Sequence, residues 1–158
     1  HTRFRFSLNC EEVIRNFEHG TPSAKERLAA AGKVLQAGYP LGFIIAPLFR
    51  FENWEDQYTE LFISLSERLR QNHPDKWSAT QLSFEFITHR FTTRAKSNIL
   101  KVFPHTSLPM DETSRKYKFG QFGYGKYVYQ PEEMAEFKSL LLHLVDNYFP
   151  GAGIEYFV

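Results

Sequence analysis

Between Arg115 and Tyr129 the chain reads Arg-Lys-Tyr-Lys-Phe-Gly-Gln-Phe-Gly-Tyr-Gly-Lys-Tyr-Val-Tyr, with four basic residues, six aromatics, three glycines and no acid. Lys116 and Lys118 alternate with Tyr117 and Phe119, glycines follow where the backbone needs freedom, and Tyr127 and Tyr129 resume the alternation. The pattern predicts two strands around a glycine-rich turn, an exposed hairpin. Aromatics interleaved with cations can stack on nucleobases while the cations hold phosphates. A ribbon with apolar tips can also act as a wedge that replaces the stacking lost when a base is flipped out. The competing reading is an aromatic ribbon packed on the last helix with its lysines solvated. Steep salt dependence of binding separates the two.

Other residues with chemical potential are scattered. The six histidines, at 1, 19, 73, 89, 105 and 143, include no pair at the i,i+3 or i,i+4 spacing of a helical metal site. His89 stands apart because it ends a predicted strand beside Arg90, whose guanidinium fork suits phosphate or carboxylate. A structural histidine bonded to its neighbours competes there with a general base. Glu11-Glu12, Glu55-Asp56, Asp111-Glu112 and Glu132-Glu133 fall near helix starts or in loops, where negative charge favours the helix dipole. Glu85, between Phe84 and Phe86, either faces water or points into the sheet with a partner. Cys10 is the single cysteine, so this chain alone holds no disulfide and no all-cysteine cluster. With nothing basic beside it, it reads as a packed thiol rather than a nucleophile. No phosphate-binding loop or nucleophile elbow occurs.

The elements that carry these residues recur as strand then helix. Residues 3–9 alternate Phe4, Phe6 and Leu8 against Arg3, Arg5, Ser7 and Asn9, a strand with unlike faces. After a short segment at 11–17, Ser23 three residues before Glu26 forms a capping box, and Ala24, Leu28, Ala31 and Leu35 follow at helical spacing until Gly38. Leu41 to Ala46 is apolar on both faces, as in a central parallel strand covered on both sides, and Pro47 ends it. A helix capped by Asn53 carries Tyr58, Leu61, Phe62, Leu65 and Leu69, stopping at His73-Pro74. Residues 71–81 read as a loop, 82–88 as a third strand, and 93–102 as a helix with Ala95, Ile99 and Val102 inward. Pro131 opens the last helix, with Met134, Phe137, Leu141, Leu144, Val145 and Tyr148 in one stripe, and 154–158 form a short final strand.

Repeated βα units imply a parallel sheet, part of a doubly wound fold or half of a (β/α) barrel, and the start almost inside a strand without an initiator Met favours the half-barrel. In either architecture the working edge lies at the strand C-termini: Ser7 and Asn9, Ala46 and Pro47, and Thr88, His89 and Arg90. The 158 residues fit one domain, and a net charge of +1 makes any polyanion footprint local. No apolar run is long enough to span a bilayer, and a reducing, cytoplasmic setting is expected.

Taken together, Arg3-Phe-Arg-Phe-Ser-Leu-Asn9, Asn16-Phe-Glu-His-Gly-Thr21, Ala37-Gly-Tyr-Pro-Leu-Gly-Phe-Ile-Ile-Ala-Pro47, Thr88-His-Arg-Phe91, Gly123-Tyr-Gly-Lys-Tyr-Val-Tyr129 and Ile154-Glu-Tyr-Phe157 resemble the C-terminal half of the spore photoproduct lyase family. The resemblance runs in order along essentially the whole chain. It implies the C-terminal half of a partial (β/α)6 TIM-like barrel, with three βα units over 1–103, a connector and DNA-contacting hairpin over 104–130, and a terminal helix and strand over 131–158. It further implies a radical S-adenosylmethionine enzyme that repairs methylene-bridged thymine dimers in DNA. In that family a Cys-x3-Cys-x2-Cys loop of the N-terminal half holds a [4Fe-4S] cluster, and a separate cysteine returns a hydrogen. Cys10 matches neither, so the chain alone is expected to be inactive, with the N-terminal half as its partner. Ser7 and Ala46 match S-adenosylmethionine contacts, and Asn9 is placed with them. Arg90 and the hairpin residues Gln121, Phe122, Gly123, Tyr124 and Lys126 are the expected DNA and lesion contacts. Where the family typically reads Gly-Arg-Tyr-Gly-Ile-Gly-Lys, Gln121 replaces a cation and Phe122 a phenol. A non-catalytic nucleic-acid-binding domain and a same-fold enzyme for another substrate stand as alternatives.

Overall fold

The computed structural model describes residues 2–72, 82–120 and 123–158. The expected loop over 71–81 therefore falls mostly outside the described residues, as do Gln121 and Phe122. In order, the elements are β1 (Phe4–Leu8), α1 (Glu11–Phe17), α2 (Ala24–Gln36), β2 (Leu41–Leu48), α3 (Trp54–Asn72), β3 (Leu82–Thr88), α4 (Thr93–Val102), β4 (Lys116–Phe119), β5 (Gly125–Val128), α5 (Pro131–Tyr148) and β6 (Gly153–Phe157). Local chemistry sets several boundaries. Ser23 Oγ accepts from the Glu26 amide at 3.3 Å, and the Glu26 carboxylate accepts from the Ser23 amide at 2.8 Å, completing the predicted capping box of α2. Gly38, at φ 83°, ends the turn after it.

β1, β2, β3 and β6 make one parallel sheet in that order, while β4 and β5 pair separately as an antiparallel hairpin. The order follows the chain with no reversal, so crossovers of one hand lay successive helices on the same face. One core results: Phe43, Phe84 and Phe86 of the sheet meet Phe62 of α3 and Phe137, Leu141 and Val145 of α5, with Leu28 and Leu35 of α2 beyond. A doubly wound sheet would place helices on both faces and is not what forms.

The opposite face is open. It carries Arg5 and Ser7 from β1, Gly42 and Ile44 from β2, and Ser83 and Glu85 from β3, in register, with Ala46 and Ile87 following where the β2–β3 register shifts. β2 is thus buried along Leu41, Phe43 and Ile45 but only half-buried at Ile44 and Ala46, which corrects the expectation of cover on both sides. Glu85 is paired: Arg5 reaches over β2 to it, and Arg3 and Arg5 both reach Glu155 on β6. Gly42 makes this crossing possible, because a Cβ there would stand 3.0 Å from Arg5 Cγ and 3.2 Å from Ser83 Oγ.

Residues 11–17, a short segment to which the sequence assigns no element, form a helix whose cap, Cys10, makes no side-chain capping bond. Two further expectations are corrected. Pro47 does not end β2, which continues through a cis Ala46–Pro47 bond to Leu48 across a register shift. Val102 faces outward at 68% exposure, and α4 buries no residue fully.

Gly42→Val is expected to push Arg5 off Glu85 and to cost about 1–3 kcal/mol, the usual range for overpacking. Urea unfolding of the full-length protein measures it, and an unchanged midpoint would contradict the close approach.

Candidate functional site

The sheet's C-terminal edge is built by side chains that tie strand ends together. Ser7 pairs with Ile44 in register, so Ser7 and Ala46 lie near one another on the open face of adjacent strands. Ser7 is exposed and Ala46 half-buried, presenting a hydroxyl and a small methyl. Asn9, expected beside them as a ligand contact, is instead fully buried with both ends of its carboxamide engaged. Its Nδ2 donates to the Pro47 carbonyl at 2.9 Å, and its Oδ1 accepts from the Cys10 amide at 3.0 Å. Asn9 therefore positions the ends of β1 and β2. Arg27, which sequence reasoning passed over, does similar work. Its guanidinium donates to the Ser7 carbonyl at 3.3 Å, to Thr21 Oγ1 at 2.7 Å and to Glu18 at 2.6 Å, fixing the Asn16–Thr21 segment under β1. The Cys10 thiol is pushed up to about 11 by burial, as expected of a packed cysteine.

At the end of β3, His89 is buried and ring-packed between Phe49 and Phe91, with centroids 4.7 and 5.8 Å away. Arg115, one of the ribbon's four basic residues, turns inward and is only 8% exposed. It donates to the His89 carbonyl at 3.0 Å and to the Pro109 carbonyl at 3.3 Å, and its guanidinium carbon sits 3.5 Å from the centroid of the Tyr129 ring. Tyr129 in turn packs on Phe137 of α5 and accepts from the Arg50 amide at 3.0 Å. These contacts hold the hairpin's root. Beside them a cavity of about 710 Å³ opens between α1 and the connector, walled by Phe17, Phe49, His89, Phe103, His105 and Leu108.

The blade of the hairpin stands clear of α5, so packing on the last helix describes its root alone. All four residues of β4 are exposed. Cross-strand register sorts the blade into two faces. Lys118 lies directly opposite Lys126, and Lys116 precedes it on that face, whereas Tyr117 lies opposite Tyr127 and Phe119 opposite Gly125. The Tyr117 ring covers Gly125, where a Cβ would meet it at 2.0 Å. Phe91 bridges Tyr127, which brings its neighbour Arg90 toward the basic face. Burial, then Arg90, then Lys118 hold the Lys126 ammonium below its ordinary pKa. Among the described residues no carboxylate pairs with Arg90, Lys116, Lys118 or Lys126. At the tip, the Gly120 amide donates to the Tyr124 carbonyl at 2.9 Å, Gly123 takes φ 75°, and Phe119 and Tyr124 are 81% and 79% exposed. The structure thus brings Arg90 beside Lys126 of the hairpin that also carries Gly123 and Tyr124, and places Ser7 and Ala46 on the open sheet face.

Burial, then the Arg115 charge, lowers the His89 pKa from 6.5 to about 4. A neutral imidazole fits this setting, since the nitrogen facing Arg115 must accept. Between pH 6.5 and 4 the unfolded chain binds more protons than the folded one, so the stability is complete above about 6.5 and falls as pH drops toward 4. The loss reaches about 3 kcal/mol at most. Urea unfolding at a series of pH values should show this fall in the full-length protein and a flatter curve for His89→Gln. Equal pH dependence of the two would contradict the assignment.

Comparison with known proteins identifies the family and the fold. The spore photoproduct lyase family matches residues 1–158. The spore photoproduct lyase of Clostridium acetobutylicum is 49% identical over all of this chain and 45% of its own length, and that of Bacillus subtilis is 47% identical over 99% and 44%. The chain therefore spans less than half the length of these curated relatives. A doubly substituted spore photoproduct lyase solved with bound AdoMet and dinucleoside spore photoproduct superposes with a TM-score of 0.92 at 48% identity, covering 99% of this chain and 45% of that one. A spore photoproduct lyase complexed with dinucleoside spore photoproduct gives the same figures: TM-score 0.92, 48% identity, 99% and 45% coverage. On the family match along its entire length, the chain belongs to the spore photoproduct lyase family.

Proposed function

We propose that this chain is the C-terminal part of a radical S-adenosylmethionine DNA-repair enzyme that reverses the methylene-bridged thymine dimer. Its sheet would be the second half of a (β/α)6 barrel, whose open face becomes the barrel interior. The observation that carries this reading is the two-faced hairpin, with its unpaired cations and exposed aromatic tip, rooted at the end of the strand next to the open face. Like charges set opposite each other across a strand pair, as Lys118 and Lys126 are, weaken a hairpin by a few tenths of a kcal/mol or more. A bound phosphate offsets that repulsion.

Ser7 and Ala46 fit one side of a nucleoside-sized cofactor pocket, a hydroxyl for its polar atoms and a methyl that lets a flat group approach the strand. Asn9 holds both strands in register for them. An iron–sulfur cluster does not fit this chain, since cluster ligands are thiolates and the lone Cys10 is buried and held protonated. The cluster-binding residues belong to the N-terminal half of the enzyme. When bound there, the cluster and S-adenosylmethionine supply the radical chemistry. This chain's part is binding: Arg90, Lys118 and Lys126 neutralise phosphates, while Phe119 and Tyr124 replace the stacking of an extruded lesion. No helix among the described residues is long and apolar enough to cross a membrane, which suits an enzyme working on DNA in the cytoplasm.

Lys126→Ala in the full-length enzyme should weaken duplex binding and reduce the salt slope by about 0.9 for one lost phosphate contact. An unchanged slope removes Lys126 from the interface. Ala46→Phe should raise the S-adenosylmethionine Kd while leaving duplex affinity intact, and equal loss of both would mean a folding defect instead.

A further inference from the structure

α4 carries a feature that neither the strand mouth nor the hairpin uses. No acid occurs from Phe86 to Met110, and across residues 86–131 eight basic residues face only Asp111 and Glu112, although the whole chain carries a net charge of only +1. α4 has three of those cations. Lys96 is committed, with its ammonium 3.3 Å from Glu112 on the connector. Arg94 and Lys101 are not: both are exposed, and neither pairs with a carboxylate among the described residues.

Arg94, Ser97, Asn98 and Lys101 stand at i, i+3, i+4 and i+7, so they form one stripe along the helix, and all four are exposed. Every member can donate a hydrogen bond. An ordinary solvated helix face mixes charges of both signs, and this one has no acid. Its position is also defined. Tyr127 of the hairpin lies against Glu112 and Thr93 and pairs with Phe91 just before α4, which sets the first turn of α4 beside the hairpin. From Arg94 to Lys101 the helix rises about 10.5 Å. At about 3.4 Å per phosphate along one strand, that is roughly three phosphates.

We propose that this edge of α4 is a second nucleic-acid contact, gripping the backbone of the strand that flanks the lesion. It rests on the reading of the hairpin as a nucleic-acid element and extends the footprint beyond the lesion itself. Contacts of this kind position DNA without reading sequence.

The test uses the full-length protein and a lesion-free duplex oligonucleotide, with Kd measured across a potassium chloride series, and dinucleoside spore photoproduct as a ligand lacking flanking strand. R94A/K101A should flatten the salt slope by about 1.8 for two lost phosphate contacts. Its affinity for the dinucleoside should be unchanged, and R94K/K101R should keep the wild-type slope. K118A/K126A, in the hairpin, is measured in parallel. If the hairpin variant flattens the slope and R94A/K101A does not, the α4 contact is overturned while the hairpin reading stands. If neither flattens it, both readings fail. Loss of dinucleoside binding in R94A/K101A, or a flattened slope in R94K/K101R, would show a structural effect and overturn the contact as well.

Discussion

A buried guanidinium has to be satisfied, and Arg115 is satisfied by three parts of the chain at once. The carbonyl of His89 ends β3, the carbonyl of Pro109 lies in the connector, and the ring of Tyr129 leaves the hairpin. Stripping a charge of water without such partners costs several kcal/mol, so the three segments are held to one arrangement. The hairpin depends on it. β4 is exposed while β5 is partly covered, so the blade's direction relative to the sheet edge follows from Arg115 at the root and from the Phe91–Tyr127 bridge on β5. The same charge helps keep His89 neutral, which removes a cation from the wall of the neighbouring cavity and leaves the basic character to the hairpin and α4.

The sheet supplies the second constraint. Strands in chain order with helices on one side leave a polar face that no helix among the described residues covers. Toward the strand starts that face is closed by ions, with Arg3 and Arg5 drawn across Gly42 to Glu85 and Glu155. Toward the strand ends it offers Ser7 and Ala46. The gradient from an ionic floor to a small-residue mouth suits a ligand entering from the C-terminal edge, where parallel α/β sheets place their sites.

Much of this is visible in the sequence because it rests on short-range signals. The Ser23–Glu26 box, the apolar period of α3 and α5, the proline at the start of α5 and the glycines of the hairpin each act within a few residues. What escapes sequence reasoning depends on distant partners. α1 has no side-chain cap bond to announce it, and Val13 is its one fully buried residue. Val102 has the period of a core residue but lines an open cavity. Asn9 looks like a ligand contact until Pro47, 38 positions away, takes its amide. Arg115 looks like one more surface cation until Tyr129 and His89 close over it. Arg90 and Lys126 were each legible as phosphate contacts, but only the bridge between Phe91 and Tyr127 explains why they meet. Gln121 and Phe122, where the hairpin departs from the family pattern, lie outside the described residues.

The central claim is that one chain carries two separate binding surfaces, a cofactor face on the sheet and a nucleic-acid hairpin. Hydrogen–deuterium exchange of the full-length protein, with S-adenosylmethionine and with a lesion-containing duplex added separately, tests it most directly. The account predicts that the cofactor slows exchange around Ser7 and Ala46, and that the duplex slows exchange across 116–128. Slowing of neither region by its own ligand, or of the hairpin by cofactor alone, would contradict it.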